Sequence, residues 1–311
     1  MSANRMHYRN KVHLITNRTE HEMFLLQPTP EITELIQGWF ARALCEYGEG
    51  LEIYAFIFLG NHFHILLKDT QGTIAAFLWY FQANLARAVN RKLDRKGRFW
   101  SREYDDVIVE DDKDFWDVYA YTVSNAVKSG LVETSSEWPG WSSLDGALGD
   151  GKYNFKLFNR TRYHNATRRG QRRDKSEFME EWQFKLAVPP SLGNKSIEHQ
   201  KQFMEETLKT AEEKYRSARS NKPPLGIKNI LRQHPLERPL NSSFTPRRKF
   251  HCSDEEKTTE LIKGYRTFVG RYKEVYEVYL TQSLTTKSPA LEWPEASFPP
   301  SCLHPVFRKA G

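Results

Sequence analysis

Apolar and polar residues alternate over residues 11–19, the pattern of a strand with one buried face. Residues 23–26 read as a further piece of the same sheet. From residue 30 to 47 the period lengthens, and Ile32, Leu35, Ile36, Phe40 and Leu44 fall on one side of a helix. Residues 51–67 read as strand, Gly60-Asn61 turn and strand, a hairpin whose first arm is apolar on both faces. Helical spacing returns over 73–94 through Ile74, Phe77, Leu78, Phe81, Leu85 and Val89. A short strand follows at 105–110. Residues 112–130 then carry helix signals: acidic residues first, Lys128 in the last turn and Gly130 as C-terminal cap. Strands interleaved with helices around a central hairpin predict an α+β fold, a ferredoxin-like sandwich on an antiparallel sheet.

A Gly-, Ser- and Asp-rich stretch at 138–151 reads as a boundary, giving a first domain at 5–145 and an extension at 146–311. The extension is expected to be basic, mainly helical and otherwise irregular. Within 159–175, Arg160, Arg162, Arg168, Arg169, Arg172 and Arg173 are interleaved with Tyr163 and His164. Such a segment suits gripping a nucleic-acid strand, and equally a solvated basic loop. Residues 198–217 read as an exposed charged helix and 220–248 as irregular. A helix at 255–280 repeats Leu261, Tyr265, Phe268, Tyr272, Val275 and Tyr279 as a core stripe. The tail at 293–307 is kept extended by its prolines.

The 311 residues carry a formal net charge of +7, which favours an anionic partner. Three scattered cysteines, Cys45, Cys252 and Cys302, fit neither a disulfide framework nor a zinc knuckle. No apolar run reaches membrane length and no leader-like segment opens the chain, so a cytoplasmic protein is expected.

Candidate chemistry sits in the hairpin and the helix at 112–130. Residues two apart on a strand share a face, so His62 and His64 point one way and Phe63 and Ile65 the other. Two imidazoles aimed at one spot can grip a divalent metal, although the same pattern suits paired surface histidines. On the helix, Phe115, Trp116, Tyr119, Val123, Ala126 and Val127 form an apolar arc, which assigns Tyr119 to the core. Tyr121, Asn125 and Lys128 fall together on the opposite face. A phenol with a pKa near 10 is a poor nucleophile unless a cation polarises the group it attacks. Two imidazoles and an amide oxygen would leave coordination positions open for phosphate, with Mg²⁺ or Mn²⁺ suited to an oxygen-rich substrate.

These blocks resemble the HUH single-tyrosine transposases, above all the REP-associated tyrosine transposases and related small insertion-sequence transposases. The family's P-N-H-x-H strand is similar to Gly60-Asn61-His62-Phe63-His64. Its G-x-x-W-Q-x-R-Y stretch is similar to Gly97–Tyr104 with Trp100, Arg102 and Tyr104 in place, and its Y-I-x-x-N-P helix end to Tyr121–Ala126. Gly60 and Ala126 replace prolines and Ser101 a glutamine; no catalytic group is lost. The resemblance spans roughly residues 5–145 and implies the HUH endonuclease fold. It also implies Tyr121 as nucleophile, His62 and His64 as metal ligands and Asn125 as third ligand.

The function implied is a metal-dependent single-strand DNA endonuclease and strand transferase, working through a covalent 5′-phosphotyrosine. Single-stranded or hairpin DNA is the expected partner, with Arg98, Arg102, Tyr104, Lys128, Arg168, Arg169, Arg172 and Arg173 as contacts; a homodimer is compatible. The alternative is a non-cleaving nucleic-acid-binding regulator derived from such a transposase. A relaxase or replication initiator suits the motif order less well.

Overall fold

The computed structural model describes residues 6, 8–168, 170, 172–220, 222–239, 249–283, 291–295 and 297. Strand β1 (Lys11–Arg18) is followed by α1 (Pro30–Tyr47), β2 (Leu51–Phe58), β3 (His62–Asp69), α2 (Ile74–Lys92) and β4 (Asp105–Val109). Two consecutive helices come next, α3 (Asp112–Val123) and α4 (Asn125–Lys128). Beyond them lie α5 (Leu144–Leu148), β5 (Lys152–Phe158), α6 (Arg160–Thr167), β6 (Met179–Lys185) and α7 (Ile197–Ala218). The chain continues through α8 (Ile227–Arg232), β7 (Phe250–His251) and α9 (Glu255–Ser283).

Local chemistry explains most of these boundaries. Thr29 caps α1, its hydroxyl accepting from the Ile32 amide, and Pro30 fills the first helical turn, where no amide donor is missed. The Asp69 carboxylate accepts from the amides of Gln71, Gly72, Thr73 and Ile74, so one buried acid shapes the turn into α2. Asp111 caps α3 by accepting from the Asp114 amide at 2.8 Å. The helix expected at 112–130 breaks at Ser124, whose hydroxyl turns back to the Ala120 carbonyl.

The main sheet has the strand order β2-β3-β1-β4-β7, and β5 and β6 pair separately. Pairings among β1 to β4 are antiparallel, but β7 joins β4 in parallel. The sheet is thus mixed, where an antiparallel one was expected. The cause is a two-residue strand from far down the chain, too short to leave an alternating pattern. Residues 23–26 do not pair as a strand: Met23, Leu25 and Leu26 are buried in a loop beneath the sheet's end, where the Leu26 amide donates to the Gly60 carbonyl at 2.8 Å.

Helices α1 and α2 cover one face of the sheet through Ile15, Phe56, Phe58, Phe63, Ile65 and Leu67. Helices α3 and α7 share the opposite layer with Tyr54, Leu66 and Val109. Strand β2 is accordingly buried on both sides, as its continuous apolar run predicts. The extension is not only helical and irregular. Its β5–β6 hairpin packs on α1, and Phe155 and Phe184 join Trp141 against the main core. The charged helix read as exposed, α7, buries Met204 and Ala211 against α3 and α4. In α9 the stripe read as core is only half-buried apart from Phe268. Among the described residues Cys45 and Cys252 are free thiols, and no helix is long and apolar enough to cross a membrane.

Candidate active site

Alternation on β3 puts His62, His64 and Leu66 on the face covered by α3, while Phe63 and Ile65 enter the α1–α2 core. The two imidazoles stand 5.1 Å apart between centroids and nearly perpendicular, at 89°. Strand β1 lies beside them in register, Thr16 opposite His64 and Arg18 opposite His62. From the other side α3 brings Tyr121 over His64, with a hydroxyl to Nε2 distance of 3.4 Å. Tyr119, two residues earlier, points into the core and donates to the Met204 sulfur at 3.1 Å. The two tyrosines divide as their helical positions predict.

Both imidazoles are oriented through Nδ1. The Asn61 amide nitrogen donates to the Glu22 carbonyl, so its oxygen faces His62 Nδ1 at 2.7 Å. That bond places the proton on Nδ1 and leaves the His62 Nε2 lone pair free. The Thr16 hydroxyl meets His64 Nδ1 at 2.7 Å, which leaves Nε2 toward Tyr121.

Electrostatics keep these rings neutral. Burial, then the nearby Arg18, push the His62 pKa down to about 3, against a hydrogen-bonding contribution from Asn125. His64 is held well below its ordinary value by burial, His62, Arg18 and Lys128. Burial raises the Tyr121 pKa, opposed by Asn125 and Arg18, so the phenol is protonated at neutral pH. Asn125 is 2% exposed at the start of α4 and accepts from the Ser129 hydroxyl at 3.2 Å. Lys128 lays its ammonium 4.2 Å from the Tyr121 ring centre, a cation–π contact.

His62, His64, Tyr121, Asn125 and Lys128 therefore converge, although they come from two separate stretches of sequence. Two neutral imidazoles and an amide oxygen fit a divalent cation that also accepts oxygen ligands. The described residues have a further capacity for metal coordination near the start of α3. There Asp111, Asp114 and Cys252, and likewise Asp114, Asp117 and His251, bring ligand atoms within 4.8 Å of one another. Asp114 is already engaged, accepting from the Ser253 amide at 3.1 Å and its hydroxyl at 2.5 Å.

Tyr121 and His64 open onto a cleft of about 1320 Å³. Arg18, Arg102 and Lys128 line it, and α7 forms a wall with Phe203, Thr207, Thr210, Lys214 and Tyr215. Of the other expected contacts, Arg98 is exposed beside Glu20 and bonds the Trp100 carbonyl, and Tyr104 packs half-buried on the main core. Neither lines the cleft. Arg168, Arg172 and Arg173 are exposed beside the β5–β6 hairpin, whose packing on α1 sets it across the sheet from α3; Arg169 lies outside the described residues. Thr16, Arg18 and Lys214 escaped the sequence reading, and Asn61 was read there only as part of the turn and the motif. For Thr16 and Arg18 the clue is β1 alternation, usable only once β1 is known to pair with β3.

No family model matches the chain. A proposed REP-associated tyrosine transposase from Haemophilus influenzae is 27% identical over 99 residues, covering 28% of this chain and 56% of that protein. The chain thus spans about half the length of this curated relative. Among solved structures, a REP-associated tyrosine transposase bound to a REP hairpin is similar at 16% identity and a TM-score of 0.41, over 48% of this chain and 85% of the other. A proposed transposase from Deinococcus radiodurans is similar at 18% identity and a TM-score of 0.28, over 36% and 89%. The sequence likeness to that REP-associated tyrosine transposase is distant.

Proposed function

We propose that this protein is a DNA transposase of the HUH single-tyrosine kind, a metal-dependent single-strand endonuclease and strand transferase. The observation that carries this reading is the Tyr121 hydroxyl 3.4 Å from His64 Nε2 of the same chain, beside His62 and Asn125. The distant sequence likeness to a relative of that name adds support. The chain path β1-α1-β2-β3-α2-β4 with strand order β2-β3-β1-β4 is consistent with a ferredoxin-like core, taken with residues 5–145 as the catalytic unit and 146–311 as its extension.

His62, His64 and Asn125 would hold the cation, Mg²⁺ or Mn²⁺. When bound, such an ion polarises phosphate oxygens and stabilises charge that develops on them. Tyr121 supplies the nucleophile. Its oxygen bonds to phosphorus as the bond from phosphorus to the 3′-oxygen breaks, and the phenolic proton ends on that oxygen as a free 3′-hydroxyl. The 5′-phosphotyrosine preserves the bond energy, so a later 3′-hydroxyl reverses the step at a new junction. The raised phenol pKa means Tyr121 is protonated at rest and requires activation as it attacks. Proximity of Tyr121 and His64 within one chain supports a site completed in cis, whether or not the protein dimerises.

The burial that raises the Tyr121 pKa also favours a second reading, a non-cleaving regulator that binds the same strand. One assay separates the two. Labelled single-stranded hairpin DNA incubated with Mn²⁺ or Mg²⁺ is expected to give a covalent protein–DNA adduct that Tyr121→Phe abolishes. Cleavage that continues unchanged in Tyr121→Phe removes the proposed nucleophile; binding that survives chelation without any adduct supports the regulator.

A further inference from the structure

Helix α7 belongs to the extension, yet one of its faces looks into the cleft that holds Tyr121. Thr207, Thr210 and Lys214 recur at three- and four-residue steps along that face, while Met204, Leu208, Ala211 and Tyr215 anchor the helix on α3 and α4. The contacts run in parallel along the two helices: Trp116 meets Phe203 at 4.7 Å, and Tyr119 meets Met204. Lys214 is thereby carried to the end of the cleft where Lys128 covers the Tyr121 ring.

The charges around this cleft are not uniformly basic. Glu20, Glu22, Asp105, Asp117 and Glu206 line it as well as Arg18, Arg102, Lys128 and Lys214. The acids are unevenly used. Glu22 pairs with Arg18 at 2.7 Å and Asp105 with Arg102 at 2.6 Å. Among the described residues neither Lys128 nor Lys214 has an ion-pair partner. The two ammonium groups also feel one another, since burial first and then Lys214 lower the Lys128 pKa. Two unpaired cations held in mutual repulsion beside a phenol are stabilised together when an anion lies between them. The cleft of about 1320 Å³ exceeds the ~300–1,000 Å³ usual for a small-molecule pocket, which suits a polymer running through it.

We infer that α7 forms the second wall of the strand-binding site, with Lys214 and Lys128 bracketing a backbone phosphate of single-stranded DNA next to Tyr121. This rests on the reading of the site as a single-strand DNA site, and assigns to the extension a direct part in holding the strand. Lys214 is here a binding residue; the chemistry stays with Tyr121.

The test is fluorescence-anisotropy titration of a labelled single-stranded hairpin oligonucleotide with the full-length protein across a salt series. Each phosphate contact to a single strand contributes about 0.7 to the slope of log affinity against log salt. Lys214→Ala is expected to weaken binding roughly three- to tenfold at moderate salt and to lower that slope by about 0.7. Lys214→Arg should restore both, and Lys209→Ala, on α7 but outside the cleft lining, should change neither. Circular dichroism and unfolding midpoints of the variants check that α7 remains docked. Wild-type affinity and slope in a folded Lys214→Ala protein overturn the inference and leave the Tyr121 reading standing. A wild-type protein that binds no single strand at all overturns both.

Discussion

At the residue scale, the positions that orient the imidazoles are as informative as the imidazoles. Asn61 holds a proton on His62 Nδ1 and Thr16 occupies His64 Nδ1, each at 2.7 Å. Partners of this kind typically alter metal affinity 10- to 100-fold when removed. In the proposed site, Asn61→Ala and Thr16→Val are each expected to weaken Mn²⁺ binding by about that factor without unfolding the protein. Titration of Mn²⁺ followed by electron paramagnetic resonance measures this; unchanged affinity in both would show that the ring orientation is held elsewhere. The shared face of His62 and His64 was legible in the sequence because both lie on one strand, where a period of two fixes it; Tyr121 and Asn125 stand one helical turn apart but on two helices, and the break at Ser124 between them was not foreseen. Thr16 and Arg18 were not legible. Their place depends on β1 pairing with β3, a register between strands far apart in the chain.

At the element scale, the β5–β6 hairpin docks on α1 through close approach at Gly38 as well as through the Arg42–Glu180 ion pair. A Cβ built on Gly38 of α1 would sit 2.8 Å from Leu157 Cδ1 and 3.1 Å from its Cβ. Gly38→Val is therefore expected to cost about 1–3 kcal/mol by overpacking. Adding Leu157→Ala should recover part of it, a coupling that urea unfolding of both single variants and the double variant measures. Strict additivity would mean that the two residues do not press on one another. Elements with a long periodic pattern, such as α1 and α2, were read from the sequence close to their observed ends. The hairpin was missed because it is flanked by arginines and its alternation in β5 is easily submerged in that charge. Helix α9 failed in the opposite sense. Its stripe of tyrosines implied a core, but within the described residues only Phe268 is buried.

For the whole molecule, the pairing of β1 with β4 makes stability depend on pH through one buried histidine. His13 is 2% exposed, with Nδ1 2.8 Å from the Asp106 carboxylate and Nε2 3.0 Å from the Tyr8 carbonyl. Burial opposes its charge, but Asp106 and the Tyr8 carbonyl outweigh burial and raise the pKa above the ordinary 6.5. A raised folded-state value means that the stabilisation is complete below the unfolded pKa and disappears as pH climbs through the folded one. The unfolding free energy should thus decline as pH rises from the ordinary histidine value through the raised folded-state one. Asp106→Asn should flatten that decline, as chemical unfolding at a series of pH values would reveal. A slope identical to wild type would assign the dependence to another group. No local pattern announces this pair, because it exists only after β1 and β4 are side by side.

The parallel strand β7 closes the outer side of β4, the Ile108 amide donating to Lys249 and the Glu110 amide to His251. Its residues leave the ribosome long after those of β4. During synthesis, at ~5–20 residues per second, a nascent chain consequently displays a raw sheet border until Phe250 and His251 emerge. Premature termination anywhere before Lys249 would leave that border permanently bare, ready to recruit a neighbouring polypeptide.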